Sequence, residues 1–239
     1  MGIMNYFEPC KYSIRLIGKL KSLDTHNVLD FELINKAVYW ARKYHANQKR
    51  KSGELYYTHP LEVAYIISDY NLKTDVIVAS ILHDIVEDTE VTVEMINSSF
   101  GQRISEMVDR LTRDRPDGSK LSVEHIINNA YHLKDKEVLL IKLFDRFHNI
   151  QTIESMSIEK TKQIITETIK QFITLSIFLG EMELEILIAE NITRICRREL
   201  SAKQDLIDYH ERVRDNFLLP SLASQSKISR IHNLLLRVA

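Results

Sequence analysis

With 239 residues, 44% of them hydrophobic and 27% charged, the chain can build one large globular domain or one domain with an appendage. A net charge of −1 excludes the broad basic footprint of a general DNA or RNA binder and leaves room for a locally basic mouth. Two distant cysteines, Cys10 and Cys196, exclude a zinc ribbon or a disulfide framework and suit a reducing cytosol.

The opening "MGIMNYFEPC" lacks a secretory apolar region and carries Tyr6 where a myristoylation signal needs Ser or Thr. No apolar run approaches the roughly 20 residues that span a bilayer. A soluble, cytoplasmic protein without membrane contact is expected. Six glycines and four prolines are few for this length and argue for long helices over a turn-rich β fold.

Residues 1–30 read as an N-terminal extension and 31–200 as the principal domain. Within it, "NQKRKSGELYYTHP", Asn47 to Pro60, breaks the helical pattern as a basic, glycine-containing loop with a short extended piece. "HPLEVAYIISDY" then places Val63, Ile66, Ile67 and Tyr70 at helical spacing, with Pro60 suited to a first turn. "KTDVIVASILHDIVED" predicts one helix with Thr74 as its N-cap. "RDRPDGSKLS" is a second irregular segment, its turn marked by Pro116 and Asp117-Gly118.

"EVLLIKLFDRFHNI" is long enough to be a helix despite its strand-like apolarity. Two more helices are expected over Thr161–Leu179 and Glu181–Ile195, with Gly180 as a C-cap between them. From Ser201 the composition turns charged and weakly amphipathic, so 201–239 reads as a helical tail and a candidate homo-oligomer contact. The fold class is all-α, a helical bundle.

Four ionisable residues, His83, Asp84, Glu87 and Asp88, crowd one end of an otherwise apolar helix, where spacings of three and four share a face. Left alone, such groups repel one another or shift their pKa values strongly. A divalent cation resolves the conflict. His59 before Pro60, and Asp145 between Phe144 and Phe147, are two more polar groups in apolar company. His59, His83, Asp84 and Asp145 together make a mixed imidazole and carboxylate set that suits Mn²⁺, Fe²⁺ or Zn²⁺ better than Ca²⁺.

"RKSGELYYTHPLEVA", "ASILHDIVEDT" and "LIKLFDRFHNIQT" resemble, in order and spacing, the hydrolase domain of the RelA/SpoT alarmone enzymes, from about Leu33 to Ile195. The resemblance implies an HD-type metal-dependent phosphohydrolase that removes pyrophosphate from the 3′ position of ppGpp and pppGpp, giving GDP or GTP, with one Mn²⁺ per chain. It assigns the metal to His59, His83, Asp84 and Asp145, and places Glu87 and Asp88 beside the attacking water. Arg50 is expected over the guanine, helped by Lys51 and Ser52, with Asn149 and Thr152 at the ribose and base. His148 is expected to be a supporting or core histidine.

This chain departs from the family pattern at Asn47, Leu55, Phe144, Phe147 and Gln151, none of them a ligand or acid position. No stretch corresponds to the synthetase domain of longer members, so degradation without synthesis is expected. The alternatives are an HD phosphohydrolase for another nucleotide (a dNTP, a cyclic nucleotide or NADPH) and a non-catalytic guanine-nucleotide-binding module.

Overall fold

Helix α4, Thr74–Leu82, is the physical centre of the site-bearing unit. Its seven residues from Val76 to Leu82 are all buried, and it packs against α2 (Phe31–His45), α3 (Thr58–Ile67) and α7 (Gln102–Leu111). A helix apolar on every side belongs inside a bundle, and each fully buried Val, Ile or Leu contributes about 1.5–3 kcal/mol.

The computed structural model describes residues 8–115, 118–153, 156–172, 175–176, 179–180 and 182–200. Pro116, Asp117 and the tail from Ser201 lie outside the described residues. The chain divides into two compact units, Met1–Asn149 and Ile150–Ala239.

In the first unit, α1 (Lys11–Leu23) packs on α3. Arg15 pairs with Glu62, Lys19 Nζ lies 2.6 Å from Asp69, and both cations sit 4.0 Å over the Tyr65 ring. After α4 come the single-turn α5 (Ile85–Asp88), α6 (Val93–Phe100), α8 (Val123–His132) and α9 (Lys136–Gln151). Trp40 on α2 packs edge-on against Tyr44 and Phe100, at 5.1 and 5.0 Å. The N-terminus of α9 is capped by Asp135, which accepts from Val138 N and pairs with Arg103 and Arg110.

The second unit holds α10 (Ile158–Glu167) and α11 (Met182–Leu200). The helix expected from Thr161 starts earlier, because Ser157 caps Lys160 N, and passes into a π-helical turn at Thr168–Phe172. Gly180 follows with φ of 81°, as a C-cap glycine requires.

Among the described residues no strand forms. The extended pieces of the two irregular segments each make one isolated antiparallel bridge, Lys49 with Leu55 and Asp114 with Lys120. The all-α expectation is borne out. No described helix is long and apolar enough to cross a membrane.

One expectation is corrected. The helix from Thr74 does not run unbroken to Asp88: it ends at Leu82, and α5 starts only at Ile85. Between them Asp84 takes φ −100°, ψ −5°, the sparsely allowed region where many active-site residues sit. Ser80 turns its hydroxyl back onto the Val76 carbonyl at 2.7 Å, a bond that tends to bend helices, while the Ser80 carbonyl takes the His83 ring at 2.8 Å. At the other end, Lys73 occupies the capping position, and Thr74 Oγ1 accepts from Asp30 N instead.

Candidate metal centre and active site

Three elements deliver the cluster. His59 is the second residue of α3, followed by Pro60, whose missing N–H costs nothing in a first turn where such groups have no helical partner. His83 and Asp84 occupy the break after α4. Asp145 projects from α9, two turns before its end.

His59 Nε2 lies 3.2 Å from Asp145 Oδ1 and 3.6 Å from Asp84 Oδ2. His83 Nε2 lies 3.2 Å from Asp84 Oδ1 and 3.7 Å from Asp145 Oδ1. The donor atoms of His59, His83 and Asp145 all fall within 4.8 Å of one another. Ligands at bonds near 2.1 Å make octahedral edges of about 3.0 Å and diagonals of about 4.2 Å, so this spacing leaves room for one ion.

One hydrogen bond fixes which nitrogen of His83 carries the lone pair. His83 Nδ1 faces a carbonyl that can only accept, so Nδ1 holds the proton and, in the neutral ring, Nε2 is free to ligate. Nε2 of His83 is fully buried and makes no hydrogen bond. Arg50 Nη1 lies 3.3 Å from His148 Nδ1. His59 Nδ1 lies 2.7 Å from the same atom, and its Nε2 faces the carboxylates. Two imidazole nitrogens and two carboxylates converge, and this donor set fits a divalent cation.

The electrostatics agree. Burial works against charge on His83, yet Asp84 and Asp145 hold its pKa raised to about 10, so a proton there answers the two carboxylates in the cation-free protein. Burial keeps His59 low. His148 is pushed down to about 3 by burial, with His59 and Arg50 adding to the effect. Against burial, Lys142 with His59 and His83 hold the Asp145 carboxyl well below the usual range, and His83 does the same for Asp84.

Around this core Tyr56 donates to Asp84 Oδ2 at 3.0 Å, and Lys142 Nζ lies 3.0 Å from Asp145 Oδ2. Asn149 Nδ2 donates to Asp145 Oδ1 at 2.7 Å, while its Oδ1 accepts from Arg50 Nη2 at 2.9 Å. His45 stacks on Tyr56 at 4.9 Å and holds Gln48, whose amide donates to the Asp88 carbonyl oxygen.

Of the remaining predicted residues, Glu87 reaches the segment after α7. Its Oε2 accepts from Arg113 N at 3.1 Å, and its Oε1 lies 3.2 Å from Lys120 Nζ. Asp88 is raised by burial and by the Asp84 charge. Lys51 and Ser52 are exposed at the tip of the basic turn, and Thr152 belongs to the second unit. Lys142, Tyr56 and Lys120 are the contributors that spacing alone did not mark as functional, whereas His148 was expected as a supporting or core histidine. Lys142, three residues before Asp145 in an apolar run, carried a readable signal: a lysine there needs an acid within reach.

The HD domain family profile matches residues 37–180. A probable guanosine-3′,5′-bis(diphosphate) 3′-pyrophosphohydrolase of Mycoplasma genitalium is 37% identical over 154 residues, covering 60% of this chain and 21% of that protein. A protein of the same description from Synechocystis sp. is 37% identical over 153 residues, covering 62% and 20%. A GTP pyrophosphokinase of Myxococcus xanthus is 36% identical over 159 residues, covering 63% and 21%. The chain thus spans about a fifth of the length of the curated relatives it matches. A solved structure described as a metazoan ortholog of SpoT that hydrolyzes ppGpp shares the fold, with a TM-score of 0.56 at 22% identity, covering 69% of this chain and 96% of that one.

Proposed function

The chain belongs to the HD domain family, and from that premise we propose that it hydrolyses the 3′-pyrophosphate of guanosine tetra- and pentaphosphate, releasing pyrophosphate and GDP or GTP. The observation that carries this reading is the convergence of His59, His83, Asp84 and Asp145 beside a basic turn whose Arg50 reaches the same cluster. The names of the bacterial relatives supply the substrate class.

When bound, a divalent cation, for which we propose one Mn²⁺ per chain, would polarise a phosphoryl oxygen and lower the pKa of a water near it. His59, His83, Asp84 and Asp145 would hold that ion. Glu87, aimed by Lys120 and the Arg113 amide, is the proposed acceptor of the water's proton. Asp88, its pKa raised by burial and Asp84, is suited to hand a proton to the leaving oxygen. Arg50 would stack its planar cation on the guanine and answer the substrate's charge with Lys51 and Ser52. Asn149 and Thr152 would hold the ribose and base. We place the reaction in the cytoplasm and assign the tail from Ser201 to self-association.

The deciding experiment incubates the purified protein with ppGpp in Mn²⁺ and, separately, in a chelator. Pyrophosphate and GDP in equal amounts with Mn²⁺ only is the expected result. Orthophosphate, or turnover of a dNTP, cyclic nucleotide or NADPH in preference, would replace it with another HD phosphohydrolase activity. Tight ppGpp binding without products would make the chain a binding module.

A further inference from the structure

We propose that Arg50 is a positioning residue for the cation site, holding the Asp145 ligand through Asn149 before any nucleotide arrives. The inference rests on the cation reading above and gives Arg50 a task beyond contact with substrate. Its guanidinium splits between two neighbours on α9. Nη2 donates to Asn149 Oδ1, and the other face of that amide donates to Asp145 Oδ1, the oxygen turned towards both histidines. Nη1 also lies 3.3 Å from His148 Nδ1, the atom that meets His59 Nδ1.

A chain of hydrogen bonds therefore begins on one cation and ends on a ligand carried by α9. Its polarity is set, since arginine only donates and an ionised carboxylate only accepts. That fixes the Asn149 amide orientation. Arg50 itself is held by a tight turn, with its N–H on the Glu54 carbonyl at 2.8 Å and its own carbonyl taking Gly53 N at 2.9 Å.

The sign of the effect separates this role from simple charge. A positive group near a cation site repels the ion, so charge alone predicts tighter Mn²⁺ binding once Arg50 is removed. Loss of that support predicts the reverse, at the roughly 10–100-fold cost usual for partners that orient metal ligands.

The test is calorimetric titration of Mn²⁺ into the full chain without nucleotide, comparing wild type, Arg50→Met and Arg50→Lys, with thermal unfolding to establish that each is folded. Arg50→Met should raise the Mn²⁺ Kd about 10–100-fold. Arg50→Lys keeps the charge but not the planar fork that donates to Asn149, and should fall between. Unchanged or tighter binding by Arg50→Met overturns the proposal while leaving the hydrolase reading intact. If Arg50→Met does not fold, Arg50→Lys decides: weaker binding supports the proposal and equal binding overturns it. A wild-type chain that binds no Mn²⁺ sinks the cation site and this role together.

Discussion

Lys142 and Asp145 are both buried on α9, one turn apart, and their ion pair at 3.0 Å holds a charge that would otherwise be stranded. Removing one partner of a buried pair costs about 3–5 kcal/mol, because the other is left uncompensated. Lys142→Met should therefore lose stability on that scale in the cation-free protein and distinctly less with Mn²⁺ bound, read by urea denaturation with and without the ion. Glu87 stands outside the four-residue cluster, so Glu87→Gln should keep Mn²⁺ binding while turnover falls by about 10²–10⁴, the usual share of a general base. A rate equal to wild type would remove Glu87 from the reaction. Asp145→Ala should abolish Mn²⁺ binding and turnover together. The four clustered residues were legible because each is a polar group misplaced in an apolar stretch. Of their supports, His148 was expected as a supporting or core histidine, whereas Tyr56 has an ordinary spacing and acts through a contact across 28 residues of chain.

The break between α4 and α5 is the feature that helical periodicity hides. Seven buried residues in a row announce the helix, and nothing in their pattern says that it stops at Leu82. The stop follows from local bonds: Ser80 engages the backbone with its hydroxyl and offers its carbonyl to His83. It also explains why Glu87, expected to share a helical face with His83, instead meets Lys120 and the Arg113 amide. The basic turn was legible from its composition, and its geometry depends on Gly53, whose φ of 88° disfavours any side chain although a Cβ would meet open space. Gly53→Ala should cost about 1–2 kcal/mol through backbone strain alone, and weaken Mn²⁺ binding by disturbing Arg50. At the head of α9, Asp135 caps the helix and gathers two arginines, so Asp135→Ala should lower stability by roughly 1–3 kcal/mol in thermal unfolding. Phe144, where the family pattern has a small residue, is fully buried and packs on Tyr70 at 4.7 Å, so the extra ring is absorbed in the core.

For the molecule as a whole, several groups make the fold sensitive to acid. Burial lowers the pKa of His45 and, to about 3, that of His148, whereas both titrate near 6.5 when unfolded. The unfolded chain then binds more protons below about pH 6.5, so stability falls as pH drops through that value, and His148 keeps contributing to the loss down to about 3. The depressed carboxyls of Asp84 and Asp145 add to the loss below their usual range. His83 has the opposite sign: its raised pKa gives stability that is complete below about 6.5 and fades as pH climbs towards 10. Denaturation midpoints of the cation-free protein should accordingly fall from pH 7 to pH 5.

Trp40, wedged between two aromatic edges, is the sole indole in the sequence and belongs to the first unit. Intrinsic fluorescence excited at the indole therefore watches that unit alone, whereas far-ultraviolet dichroism sums the helices of both. Overlaying the two signals along one denaturation curve turns a native residue into a built-in reporter of whether both units melt in a single step.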